Sequence, residues 1–232
     1  MEMKNKYVLT DETIKVGKKT LYRIKALKEF SNVKEGEIGG FIESEKNLSH
    51  DGKAWVSDAA RVSDNARVFD NAEVSDNAKV SDNAKVSDNA RVFDNAEVSD
   101  NARIFGNAEV YCDAEVYSNA RVFDNAEVSD NARVSGNARI FGNAEVYCDA
   151  EVYGNAKVSD NARIFGNAEV FDNVKVFNYA KVCDNAKVCD NAWVYDNAKV
   201  SGNADVSGDA RIFRDALVYG KAKVSGKAEI SE

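Results

Sequence analysis

The feature that most constrains this chain is a period of six. Ala recurs at every sixth position from Ala54 to Ala228 with one exception, Val174, and every residue two places later, from Val56 to Ile230, is Val or Ile. No insertion interrupts that run. Helices require apolar residues at a spacing near 3.6 and isolated strands a spacing of 2. A strict six is met by a four-residue strand followed by a two-residue corner. Each hexad then points Ala inward, a charged residue outward, Val inward and Ser, Phe or Tyr outward, and closes on Asp or Gly followed by Asn.

Each of these letters answers a physical need. Small Ala beside branched Val lets three flat strands enclose a narrow interior, and Val suits a pleated surface. The corner requires a residue that tolerates positive φ, and Asn is an accepted non-glycine choice. Asn fills 21 of the 29 corner sites between Ala59 and Lys227 and is expected to carry the positive φ. Stacked Asn side chains are also expected to hydrogen-bond along the corner as an amide ladder.

The pattern [VI]-x-x-x-A-x, as in Val62-Ser63-Asp64-Asn65-Ala66-Arg67, resembles the hexapeptide repeat of left-handed parallel β-helices of bacteria and phages. The lead-in from Gly39 to Val56 (GGFIESEKNLSHDGKAWV) resembles the start of a group of such proteins labelled acyltransferase-like or polymer-forming without assigned chemistry. The resemblance implies an all-β chain, a left-handed parallel β-helix with three hexads per 18-residue triangular coil and about ten to eleven coils. Eleven coils at roughly 4.8 Å each make a rod on the order of 50 Å long.

The first 53 residues break the pattern. They hold 11 of the 31 basic and 9 of the 39 acidic residues, so this part carries +2 and the repeats −10 of the net charge of −8. The segments KYVLT, TIKVG and LYRIKAL alternate like short strands, with Gly17 as turn material. Residues 1–35 are read as a β-rich cap, because solenoids need closed ends. Residues 36–53 are read as a degenerate first coil and 54–232 as the repeat body. Running the register backwards places Gly36, Ile42 and Leu48 on the Ala track and Ile38, Ser44 and His50 on the Val track.

Residues eighteen apart stack, so sorting hexads by threes gives three faces. Two have mixed charge and are expected to form ion pairs between coils. The third is different: Arg67, Lys85, Arg103, Arg121, Arg139, Lys157, Lys175 and Arg211 make eight of its ten outward positions basic, against nine of twenty on the other two. Phe69, Phe105, Phe123, Phe141, Phe177, Tyr195 and Phe213 stand beside them. The candidate partner-binding or oligomer interface is therefore Arg121, Phe123, Arg139, Phe141, Lys175, Phe177, Trp193, Tyr195, Arg211 and Phe213. The simpler alternative is an aromatic ladder with solvated charges.

Catalytic chemistry finds little support. Hexapeptide acyltransferases use a His base and a loop thrown out of a coil, but the repeats contain neither, and His50 lies in the degenerate coil. No Gly-rich phosphate loop or nucleophile elbow occurs. Cys112 and Cys148 share a column two coils apart, about 9.6 Å by strand spacing, too far for a disulfide. No catalytic residue, cofactor or metal site is assigned. The expectation is a cytoplasmic, non-catalytic scaffold that forms a dimer or trimer or binds a protein, without a membrane span. The alternatives are a mimic or binder of nucleotides, nucleic acid or nucleic-acid-binding proteins, and an acyltransferase-like enzyme.

Overall fold

The computed structural model describes residues 5–232. The chain is a parallel β-solenoid with about eleven coils and an antiparallel N-terminal element. Thirty two-residue strands follow one another at intervals of six, from β4 (Trp55–Val56), β5 (Arg61–Val62) and β6 (Arg67–Val68) to β33 (Glu229–Ile230). Each pairs in parallel with the strand three further on, as Arg103 does with Arg121 and Val92 with Val110. The three resulting sheets are named here the β4, β5 and β6 faces; the last is the basic, aromatic one. No helix is long and apolar enough to cross a membrane among the described residues.

Regular pairing covers two residues per hexad rather than four, yet the inter-coil bonding does not stop there. Asn65 N–H donates to the Asp82 carbonyl at 2.7 Å and Ser63 N–H to the Val80 carbonyl at 3.0 Å, so the ladder continues round the corner. The interior is the Ala and Val columns, fully buried from Ala54 to Ala216. Val174, the one departure from Ala, is equally buried. Only in the last coil do Ala222, Val224 and Ala228 become half-exposed and Ile230 exposed.

The corner chemistry differs from expectation in one respect. Positive φ falls on the Asp and not on the Asn: Asp64, Asp70 and Asp124 lie near +60°, and Gly106, Gly136 and Gly142 replace Asp in the same corner position. The Asp carboxylate also accepts the N–H of the residue one coil above, as from Ser118 to Asp100 at 2.9 Å and from Gly208 to Asp190 at 2.8 Å. Where Asp sits above Asp the bond lengthens, to 3.5 Å between Asp76 N–H and Asp58 and 3.4 Å between Asp94 N–H and Asp76. Repulsion between stacked carboxylates accounts for this, and Gly, Ser or Cys in the upper coil removes it. The Asn that follows builds the expected amide ladder: Asn71, Asn89, Asn107, Asn125 and Asn143 each donate to the next in series at 3.0 to 3.2 Å, and Asn161 accepts the last bond.

At the N-terminal end, KYVLT and TIKVG are not two strands. They join in β1 (Tyr7–Val16), with a register shift between Leu9 and Thr13. A two-residue loop at Gly17 and Lys18 leads into β2 (Lys19–Ala26), antiparallel to β1. Strand β3 (Ile38–Ile42) pairs antiparallel with β2 and parallel with β5, which couples the two kinds of sheet. The backward register needs correction here. Ile42 stacks on Val62 and Leu48 on Val68, so both occupy the Val track. The offset is twenty, and two extra residues are absorbed before Ala54 at a turn containing Gly52 (φ +68°), beneath the Asp70 carbonyl.

Candidate functional site

The β6 face brings together the residues singled out from sequence as two parallel columns. Phe105, Phe123 and Phe141 stack at 4.8 and 5.0 Å with interplanar angles of 0° and 2°. Phe177, Tyr195 and Phe213 do so at 5.0 and 5.2 Å. Ladders of this kind are not confined to this face. Phe93 stacks on Tyr111 and Tyr147 on Phe165 on the β4 face, and Tyr153 on Phe171 on the β5 face. Aromatic stacking is therefore a general device of the rod, fixed by the coil spacing.

Rings are the principal neighbours of the compensated cations on the β6 face. The Arg139 guanidinium lies 5.3 Å from the Phe123 ring centroid and 5.5 Å from that of Phe141, and its buried Nε has no hydrogen-bond partner. Trp193 stands between Lys175 Nζ at 4.1 Å and the Arg211 guanidinium at 5.4 Å, with the Phe177 ring edge-on at 6.3 Å. Each such cation–π contact is worth about 0.5–1 kcal/mol at an exposed site. Trp193 thus occupies the position where a third cation would stack between Lys175 and Arg211. Arg121 is exposed and, like Lys85, Arg103 and Lys157, makes no ion pair among the described residues.

Ion pairs concentrate on the other two faces. Arg91 meets Glu73 and Glu109, Arg163 meets Glu145, Arg133 lies between Glu115 and Glu151, and Lys187 meets Glu169. The β6 face has one among the described residues, Arg211 with Glu229 at 3.4 Å. Exposed pairs of this type contribute roughly 0–1 kcal/mol each. Their weight here is in what they leave over, a cationic column whose one carboxylate, Glu229, stands at its end.

A second cluster closes the N-terminal end. Lys6 is fully buried and its Nζ donates to the Ala54 carbonyl at 2.7 Å. Tyr7 stacks on His50 at 4.3 Å and donates its hydroxyl to the Leu48 carbonyl at 2.8 Å. His50 Nδ1 accepts the Lys6 N–H at 3.2 Å, and Phe30 meets Trp55 edge-on. His50 is thus held between the cap and the first coil, a packing role. Nothing in the spacing of Lys6 sets it apart from the other cap lysines, so its burial is not legible in the sequence.

Burial, then the charge of Lys28, lowers Lys6 from 10.5 to about 8, with Asp51 opposing. A lysine with its proton affinity depressed on folding destabilises the folded cap while protonated. That penalty is complete below about pH 8 and fades as pH rises toward 10.5. Cap stability is therefore expected to increase between these values. In a Trp193→Phe background, Trp55 fluorescence should report a rising urea midpoint over this range, and Lys6→Met should flatten it. A flat wild-type profile would show that Lys6 titrates normally.

The four cysteines are free thiols. Burial, then Asp184, raises Cys183, and burial, then Asp190, raises Cys189 to about 11. Both are poor nucleophiles at neutral pH.

These features define a parallel β-solenoid built from short identical corners. A family model described as YdcK Beta solenoid repeat matches residues 60–76, about one coil of this chain. No curated protein matches it.

Proposed function

We propose that the chain is a non-catalytic β-solenoid scaffold whose β6 face docks an acidic protein partner. The observation that carries this reading is the cationic column from Arg67 to Arg211, where one of eight cations is ion-paired among the described residues, against five of the nine on the other two faces. Like charges stacked at coil spacing repel, and a partner bearing carboxylates relieves that repulsion. Two copies of this face would repel each other, so self-association through it is disfavoured.

Nucleic acid is the competing partner. Stacking bases need open ring faces, whereas the rings of Phe123 and Tyr195 are covered on both sides by neighbouring rings and Trp193 by two cations. A non-catalytic role is favoured by His50, whose Nδ1 and ring face are both engaged in packing.

Fluorescence anisotropy with labelled poly-glutamate and with single-stranded DNA tests this. Poly-glutamate should bind at low salt, and Arg103→Glu with Arg121→Glu should weaken it by about tenfold or more. Preference for DNA, lost in the same variant, would favour the nucleic-acid reading. Absence of binding to either would overturn the proposal.

A further inference from the structure

The β4 face carries its charges in blocks. Glu109, Glu127 and Glu145 occupy three consecutive coils, and Arg163, Lys181 and Lys199 the next three. On the β5 face signs alternate closely enough to neutralise one another between neighbouring coils, as Lys79 with Glu97 and Lys187 with Glu169. On the β4 face only Glu145 and Arg163 meet across the block boundary, at 2.8 Å. Glu127, Lys181 and Lys199 make no ion pair among the described residues. Glu127 instead accepts the Tyr111 hydroxyl at 3.3 Å.

The same face displays exposed apolar groups. Four large hydrophobic side chains are exposed in the repeat body, and three lie on this face or its leading corner: Tyr179 (61%), Leu217 (61%) and Tyr219 (70%). Tyr179 takes the place of Asn in the corner column, where the series of amide bonds ends at Asn161. A solvated face has no use for these three groups together.

We infer that the β4 face pairs with a second copy of itself, antiparallel, about a two-fold axis lying along the strand direction between the coils of Glu145 and Arg163. In that register Glu145 faces Arg163 of the second copy, Glu127 faces Lys181 and Glu109 faces Lys199, each twice. A shift of one coil either way sets Glu145 against Glu145 or Arg163 against Arg163, so charge fixes the register. A two-fold interface must be self-complementary, and this arrangement is.

The aromatic residues fall where such an interface needs them. The stacked Tyr147 and Phe165 lie at the axis and meet the same pair of the second copy, the position at which buried aromatics contribute most. At each end, Leu217 and Tyr219 face Arg91 and Phe93, whose guanidinium and ring are already in contact at 4.9 Å. Eight paired coils at roughly 4.8 Å, with a face about 14 Å wide, bury on the order of 1,000 Å² in total, near the lower bound for a specific interface.

This inference does not rest on the acidic-partner reading of the β6 face. Its test is molar mass by light scattering on the full chain across the micromolar range, with circular dichroism to establish that each variant folds. Wild type should be a dimer. Lys181→Glu with Lys199→Glu, and separately Glu109→Lys with Glu127→Lys, should each weaken dimerisation by on the order of a hundredfold. Mixed together, the two variants should recover the dimer mass, because every opposed pair is again of opposite sign. A monomeric wild type, a variant that keeps the dimer mass, or folded variants that fail to associate on mixing would each overturn the pairing. Poly-glutamate binding by the β6 face is read separately and is unaffected by these substitutions.

Discussion

Val116→Asp is expected to divide the rod in two. Val116 is fully buried in the Val column of the β5 face, with no polar group in the Ala and Val interior to receive a carboxylate. Burying an unpaired charge costs several kcal/mol, and about 4 kcal/mol or more is the scale of such core lesions. In a solenoid each coil is supported by its two neighbours, so the damage stays local. Denaturation should show two transitions where wild type shows one, and limited proteolysis should release an N-terminal fragment ending near the lesion. A single transition without a fragment would mean that the coils unfold as one unit.

The second large effect is expected at a corner, with a sign set by branching. Gly142 has φ +72°, and a Cβ built there would lie 2.7 Å from the Asp160 nitrogen. Corner Asp residues settle at lower φ, between +53° and +63°, which marks the adjustment a side chain requires. Gly142→Asp should therefore be nearly neutral, since the corner can relax to the form seen at Asp124 and Asp160. Gly142→Val should cost about 2 kcal/mol or more, because a β-branched residue at positive φ is strained on its own account. Thermal melts of the two variants distinguish these outcomes; equal losses would show that space, not backbone conformation, limits the site.

Much of the body was legible because every hexad repeats the same constraint. Once Ala and Val are counted, the partner of Arg103 must be Arg121. Which corner residue carries the positive φ does not follow from residue type, because Asp and Asn both tolerate it. The signal lay in which position Gly invades, and it is always that of Asp, as at Gly106 and Gly136. The first coil resisted because Ile42 and Leu48 have no regular track beside them from which to count two extra residues. Strand β1 resisted because its register shift at Leu9 to Thr13 looks like a break in alternation.

The candidate faces were legible in composition but not in order. Stacking of Phe177, Tyr195 and Phe213 follows from their eighteen-residue spacing. That Trp193 stands between Lys175 and Arg211 follows from the same spacing, whereas the contact of Arg139 with the Phe123 and Phe141 rings depends on side-chain orientation, which spacing does not give. The β4 column was mixed when counted, whereas its meaning depends on the succession of Glu109, Glu127 and Glu145 before Arg163, Lys181 and Lys199.

Strand β3, antiparallel to β2 on one side and parallel to β5 on the other, has a kinetic consequence. Residues 7–62 can close the cap and the first parallel pair from nearby segments alone. Each later coil then needs only the one before it, with partners eighteen residues back. Such short loop closures favour rapid assembly. Ribosomal synthesis delivers residues in the same order, so the cap is a template that exists before the coils it organises, and the rod grows from it in one direction as the chain emerges.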